Sequence, residues 1–175
     1  MQKLTGRLDE IDTSMNKRVN VIGQSIKKQQ EEMETALLPS KLYNDAYNAY
    51  LGNNFDGAAA GFKGYLAKFP SGEMAESSYF YLGESLYLKE HWQDAALAYA
   101  TVLEKFPKSV RIPAARLKYA LALLKLGDDK KPEAMKYLHS VAADFPASQE
   151  AKTAKDYISR LSPPKPAAGK TVKAP

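Results

Sequence analysis

The chain has 175 residues, 45% hydrophobic and 26% charged, and carries a net charge of +5. That length holds one ordinary domain plus an appendage. The composition reads as soluble and globular, and no apolar run approaches the roughly 18–20 residues that cross a bilayer. Cysteine is absent, which excludes disulfides and thiolate metal sites.

The basic excess is not spread over a face. Residues 1–38 hold six Lys/Arg and six Asp/Glu, and Ser162–Pro175 holds Lys165, Lys170 and Lys173 with no acid. The stretch between them is nearly neutral, with 16 basic against 14 acidic residues, which argues against a nucleic-acid-binding surface. Met1–Gly6 lacks the apolar core of a secretory signal, so the expectation is a cytoplasmic chain or a mature or trimmed form.

In residues 1–38 the apolar positions Leu4, Leu8, Ile11, Met15, Val19, Ile22 and Ile26 advance by steps of 4, 3, 4, 4, 3 and 4. Alternating threes and fours make the seam of a coiled coil, and the doubled four at Met15–Val19 is a stutter that locally unwinds it. Met33 and Leu37 extend the apolar series. A helix with so narrow a stripe cannot bury it within itself, so these residues predict self-association. The alternative is a helix folded back on the rest of the chain. The spacing leaves dimer and trimer both open. Gly6 and Gly23 each weaken the helix by about 1 kcal/mol relative to Ala. Pro39 is expected to end the segment.

Residues 40–161 repeat. Phe69-Pro70, Phe106-Pro107 and Phe145-Pro146 recur with prolines 37 and 39 residues apart. Proline stops a helix, and the serines that follow (Ser71, Ser109, Ser148) offer N-caps to the next. Aligned on the prolines, the units place small residues at Ala46, Gly83 and Ala120, and again at Ala58, Ala95 and Ala134. Two antiparallel helices with small residues at their crossing, aromatic knobs and a closing proline are the tetratricopeptide pattern. The predicted fold is all-α: a coiled-coil helix over 1–38, then a three-repeat superhelix over 40–161. Its repeats span about 40–70, 73–107 and 110–146, with a capping helix over 148–161. Asp128–Lys131 accounts for the longer third unit, and Pro113 falls in a first helical turn. Gly57, Gly61 and Gly64 share one helix face, read as close packing against the N-terminal helix or as a shallow groove for a partner helix. The Pro- and Lys-rich stretch 162–175 is expected to be disordered.

No catalytic, cofactor or metal constellation emerges. His91 and His139 have no ligand spacing, and Asp128-Asp129 reads as helix capping. The predicted function is binding. The first helix of each hairpin lines the concave face of such a superhelix, which puts Tyr43, Tyr47 and Tyr50, then Phe80, Glu84 and Tyr87, then Leu117, Leu121, Leu124 and Lys125 there. That surface is aromatic and apolar rather than a basic clamp, and implies a hydrophobic peptide or helix as ligand.

The N-terminal helix, the run Leu42–Leu51, Phe69-Pro70-Ser71, Tyr81–Ser85 and the two later Phe-Pro joints together resemble the YbgF/CpoB family, over about Leu4–Leu161. The resemblance implies a non-enzymatic periplasmic adaptor of the Tol-Pal system that forms a homo-oligomer, typically a trimer, through its first helix. It implies TolA-like and peptidoglycan-synthesis partners in coordinating outer-membrane constriction at cell division. An alternative of another class is a scaffold of a different envelope or secretion assembly, its basic tail touching cell wall or anionic lipid.

Overall fold

The computed structural model describes residues 2–162; the tail expected to be disordered lies almost wholly outside them. Seven α-helices follow in order: α1 Gln2–Leu51, α2 Phe55–Lys68, α3 Ala75–Leu88, α4 Trp92–Lys105, α5 Ile112–Leu126, α6 Lys131–Asp144 and α7 Gln149–Leu161. One 3-10 turn, Asp128–Lys130, precedes α6. Each helix packs on the next, and α1 also meets α3 while α5 meets α7. This makes two layers: an inner one of the α1 end, α3, α5 and α7, and an outer one of α2, α4 and α6. The all-α hairpin superhelix read from the repeat is the observed architecture.

Pro39 does not end the first segment. It lies inside α1, which runs unbroken through it to Leu51. The stripe-bearing helix and the first helix of repeat one are therefore one rod, about 75 Å long at 1.5 Å per residue. An internal proline costs about 3 kcal/mol. The packing of residues around Ala46 on α2 offsets it, since Ala46 and Phe62 belong to one buried cluster.

The Phe-Pro joints share one geometry. Phe69, Phe106 and Phe145 cap α2, α4 and α6 with φ near −130° and ψ of 62°, 53° and 52°. Each donates its N–H to a carbonyl four residues back, on Tyr65, Val102 and Val141. The rings seat at the joint: Phe69 is 5.4 Å from Tyr65, Phe106 is 6.3 Å from Tyr79, and Phe145 lies 5.4 Å from the Arg116 guanidinium. Ser148 caps α7 as expected, accepting from the Ala151 N–H at 3.0 Å. Pro113 stands in the first turn of α5.

Ser71 and Ser109 are not N-caps, because an extra turn separates each joint from the helix that follows. In the first joint the hydroxyl of buried Tyr65 accepts the Met74 N–H instead, at 3.1 Å. In the second, Ser109 accepts the Arg111 N–H at 2.9 Å and donates to Glu76 at 2.7 Å, tying repeat two to repeat three.

The turns inside the hairpins repeat as well. Asn53, Glu90 and Gly127 hold positive φ of 59°, 63° and 142°, at matching places in the three units. At the first two, the N–H of Asn54 and of His91 reaches back to the carbonyl of Ala49 and of Leu86, at 2.8 and 2.9 Å. That is the bond which closes a helix with a left-handed residue. The two additional residues of the third unit follow Gly127 and are absorbed by the 3-10 turn.

All six predicted crossing residues are buried. A Cβ on Gly83 would stand 2.6 Å from the Tyr99 ring, and one on Gly61 would stand 2.7 Å from the Ala46 Cβ. Of the three glycines along α2, Gly61 is thus the close-packing position. Gly57 is crowded only by the capping Asn54 side chain, and Gly64 faces open space. One apolar cluster spans repeats one and two, around Phe62, Tyr65, Leu86, Tyr99 and Val102. A second joins repeat three to α7, around Leu123, Leu138, Val141 and Ala154.

Candidate interaction groove

The inner layer begins with tyrosines. Residues 43, 47 and 50 fall on one face of α1 because a helix brings i, i+4 and i+7 together. Tyr43 stacks on Tyr47 at 5.9 Å and Tyr47 on Tyr50 at 6.3 Å. Tyr81 of α3 closes the set, 4.9 Å from Tyr47 and 5.2 Å from Tyr50. All four remain partly exposed.

Burial raises the pKa of Tyr43 and Tyr50 above its ordinary value, and a hydrogen bond with Tyr81 is the first cause of the same shift at Tyr47. Tyr43, Tyr47 and Tyr50 are therefore uncharged at neutral pH, flat rings with polar tips.

Tyr81 was missed by the sequence reading, which assigned its neighbour Phe80. Adjacent helical residues point about 100° apart. Phe80 is only 8% exposed and turns to the outer helix, where it meets Tyr99 at 5.9 Å, while Tyr81 turns inward to α1. No local signal separates the two, since both are aromatic and stand one helical step apart.

Glu84 is also not an open groove residue. At 9% exposure it accepts the Tyr99 hydroxyl at 2.5 Å and the Lys118 ammonium at 2.7 Å. It ties α3, α4 and α5 together. Burial first, and the Glu84 charge second, push the Tyr99 pKa far up, so this hydroxyl stays a donor.

A row of cations runs beside the aromatics: Lys125, which the sequence placed on this face, and Arg111 and Lys118, which the expected aromatic and apolar lining left out. Lys118 and Lys125, seven residues or two turns apart, share one side of α5, and Arg111 stands at its N-cap. The Arg111 guanidinium sits 5.4 Å from both the Phe80 and Tyr81 rings and pairs with Glu76 at 3.3 Å. Lys118 lies 5.9 Å from the Tyr87 ring. Lys125 lies 5.4 Å from the ring of Trp92, which itself meets Tyr87 edge-on at 4.8 Å. Arg111 precedes α5, so assigning positions by helix register alone passed over it.

Of the remaining predicted residues, Tyr87 is partly exposed beside Lys118. Leu117 is buried in the second cluster. Leu121 and Leu124 pack against that cluster with Tyr157, Ile158 and Leu161 of the capping helix. Leu121 therefore packs on the cluster that joins repeat three to the capping helix.

The second candidate surface is the stripe on α1. Ile11, Met15, Val19, Ile22 and Ile26 are 50–63% exposed, and Met33 and Leu37 continue the series at 64% and 60%. The side chains of Leu4 and Leu8 lie outside the described residues. Around the stripe the helix is polar apart from exposed Val21, with surface pairs Lys27–Glu31 at 3.9 Å and Lys28–Glu32 at 3.7 Å.

Among the described residues, no cluster of His, Asp and Glu is placed to hold a metal, and no helix is long and apolar enough to cross a membrane. His91 stands at the N-cap position of α4 without a side-chain capping bond.

The tetratricopeptide-repeat family profile matches residues 77–109 and 114–148, which are repeats two and three. Searched against curated proteins, the chain finds no match. The chain thus carries tetratricopeptide repeats, and the helical-repeat fold is that of a protein-interaction module.

Proposed function

We propose that this tetratricopeptide-repeat chain is a non-enzymatic adaptor that clusters through the α1 stripe and takes a protein partner on the inner layer of its repeats. One observation carries the reading: the exposed stripe and the tyrosine patch lie on the same continuous helix. Copies joined along the stripe would hold their grooves at fixed positions. A partner with several binding segments, or one tethered to a membrane, would then be gripped with avidity.

The resemblance to the YbgF/CpoB family supplies the finer reading. In it the protein is periplasmic, self-associates as a trimer and binds a TolA-like partner, linking outer-membrane constriction to peptidoglycan synthesis in dividing cells.

Two measurements on the full chain test the two halves. Val19→Lys combined with Ile22→Lys should reduce the mass found by light scattering to that of a monomer. An unchanged mass would sink the clustering. Tyr47→Ala combined with Tyr87→Ala should weaken binding to the periplasmic region of TolA. Equal affinity would exclude the groove as the contact. Clustering without any TolA binding would favour a scaffold of another envelope assembly.

A further inference from the structure

The groove is graded along its length in chemistry. At the α1 end lie four tyrosines in mutual contact. From the α5 side comes the row Arg111, Lys118 and Lys125, with Arg111 set against Tyr81 of that patch. Two of these cations are matched by the chain's own carboxylates, Arg111 by Glu76 and Lys118 by Glu84. Lys125 makes no ion pair among the described residues. Its ammonium is held over the Trp92 ring, a contact that orients a cation without neutralising it. The matched pairs leave Lys125 as the unspent charge of the groove.

We infer that the inner groove takes an internal segment of a partner protein that lays apolar or aromatic side chains on the tyrosine patch and an acidic side chain on Lys125 beside Trp92. The inference rests on the groove reading above and adds composition and polarity to it. Partly exposed Tyr and Trp rings are the anchors protein interfaces favour. A segment that set Lys or Arg beside Lys125 would meet its unmatched charge and be repelled. The chain's own last residues, 162–175, bear three lysines and no acid. They have the wrong sign to be the favoured occupant.

The probe is a phage-displayed library of random twelve-residue peptides, selected on the full chain. Recovered peptides are synthesised with blocked ends, so that no terminal carboxylate takes part. Their binding is followed by the emission of Trp92, the only tryptophan of the chain. The expected peptides combine Leu, Phe, Tyr or Pro with an Asp or Glu. Their affinity should fall about tenfold on Lys125→Glu and less on Lys125→Gln, as for loss of a charge-assisted contact. Selection on Lys125→Glu should turn to Lys and Arg. Tyr47→Ala, with Tyr50→Ala as a second variant, should weaken all of them. Peptides that need Tyr47 or Tyr50 but show no acidic enrichment, or bind Lys125→Glu equally well, would overturn this inference and leave the groove reading standing. Peptides indifferent to both tyrosine variants, or an empty selection, would overturn both.

Discussion

Gly83 and Gly64 show how one residue type acts in opposite ways. Both lie in helices, where Gly is about 1 kcal/mol worse than Ala. A Cβ at Gly83 would enter the ring of fully buried Tyr99, whose hydroxyl is fixed on Glu84. Overpacking of that kind costs about 1–3 kcal/mol. Gly83→Ala should therefore lower stability in urea denaturation, whereas Gly64→Ala, with nothing near it, should raise it by about 0.5–1 kcal/mol. A neutral Gly83→Ala would mean that α3 and α4 do not cross closely there. Glu84 takes its role from residues far along the chain. A carboxylate on the inner face reads as a ligand contact, yet this one joins Tyr99, which is 15 positions away, and Lys118, which is 34.

The decisive element is α1. A proline within a helix removes one N–H donor and crowds the carbonyl four residues back, yet the helix passes Pro39 and continues to Leu51. Local chemistry opposes this and packing on α2 favours it. Pro39→Ala should restore the missing backbone bond and raise the thermal midpoint, with a gain of up to about 3 kcal/mol. Thermal unfolding followed by far-ultraviolet circular dichroism checks this. A lower midpoint would indicate that the chain needs a break at Pro39. The same continuity bears on the oligomer. A flexible joint would let the groove swing, while a continuous helix fixes it to the stripe.

Across the whole molecule the tyrosines make stability depend on alkaline pH. Tyr43, Tyr50, Tyr87, Tyr99 and Tyr119 have raised pKa values chiefly from burial, and Tyr119 reaches about 12. A group whose folded pKa is raised contributes stability that is fully present below its unfolded value and is lost as pH rises through the folded one. The unfolded value here is 10.0. The thermal midpoint should hold up to about pH 10 and then fall, most steeply as pH approaches about 12. Tyrosinate absorbance should rise together with unfolding. A midpoint that stays flat while the tyrosines ionise would mean the rings are open to solvent in the folded chain.

The sequence alone determined the repeat. The Phe-Pro joints, the small crossing residues, the capping Ser148 and the all-α hairpins are legible because each rests on local chemistry: a missing N–H, an absent or minimal Cβ, a hydroxyl beside free amides. Tertiary structure decided the rest. It carried α1 through Pro39, put Tyr81 rather than Phe80 against the α1 tyrosines, buried Glu84 between two helices, and brought Arg111, Lys118 and Lys125 beside rings from α3 and α4. Those outcomes depend on residues far apart in the chain meeting across helices. A one-residue change of helical face, about 100°, separates a core ring from a binding surface, and only the packed neighbours settle which way each ring turns.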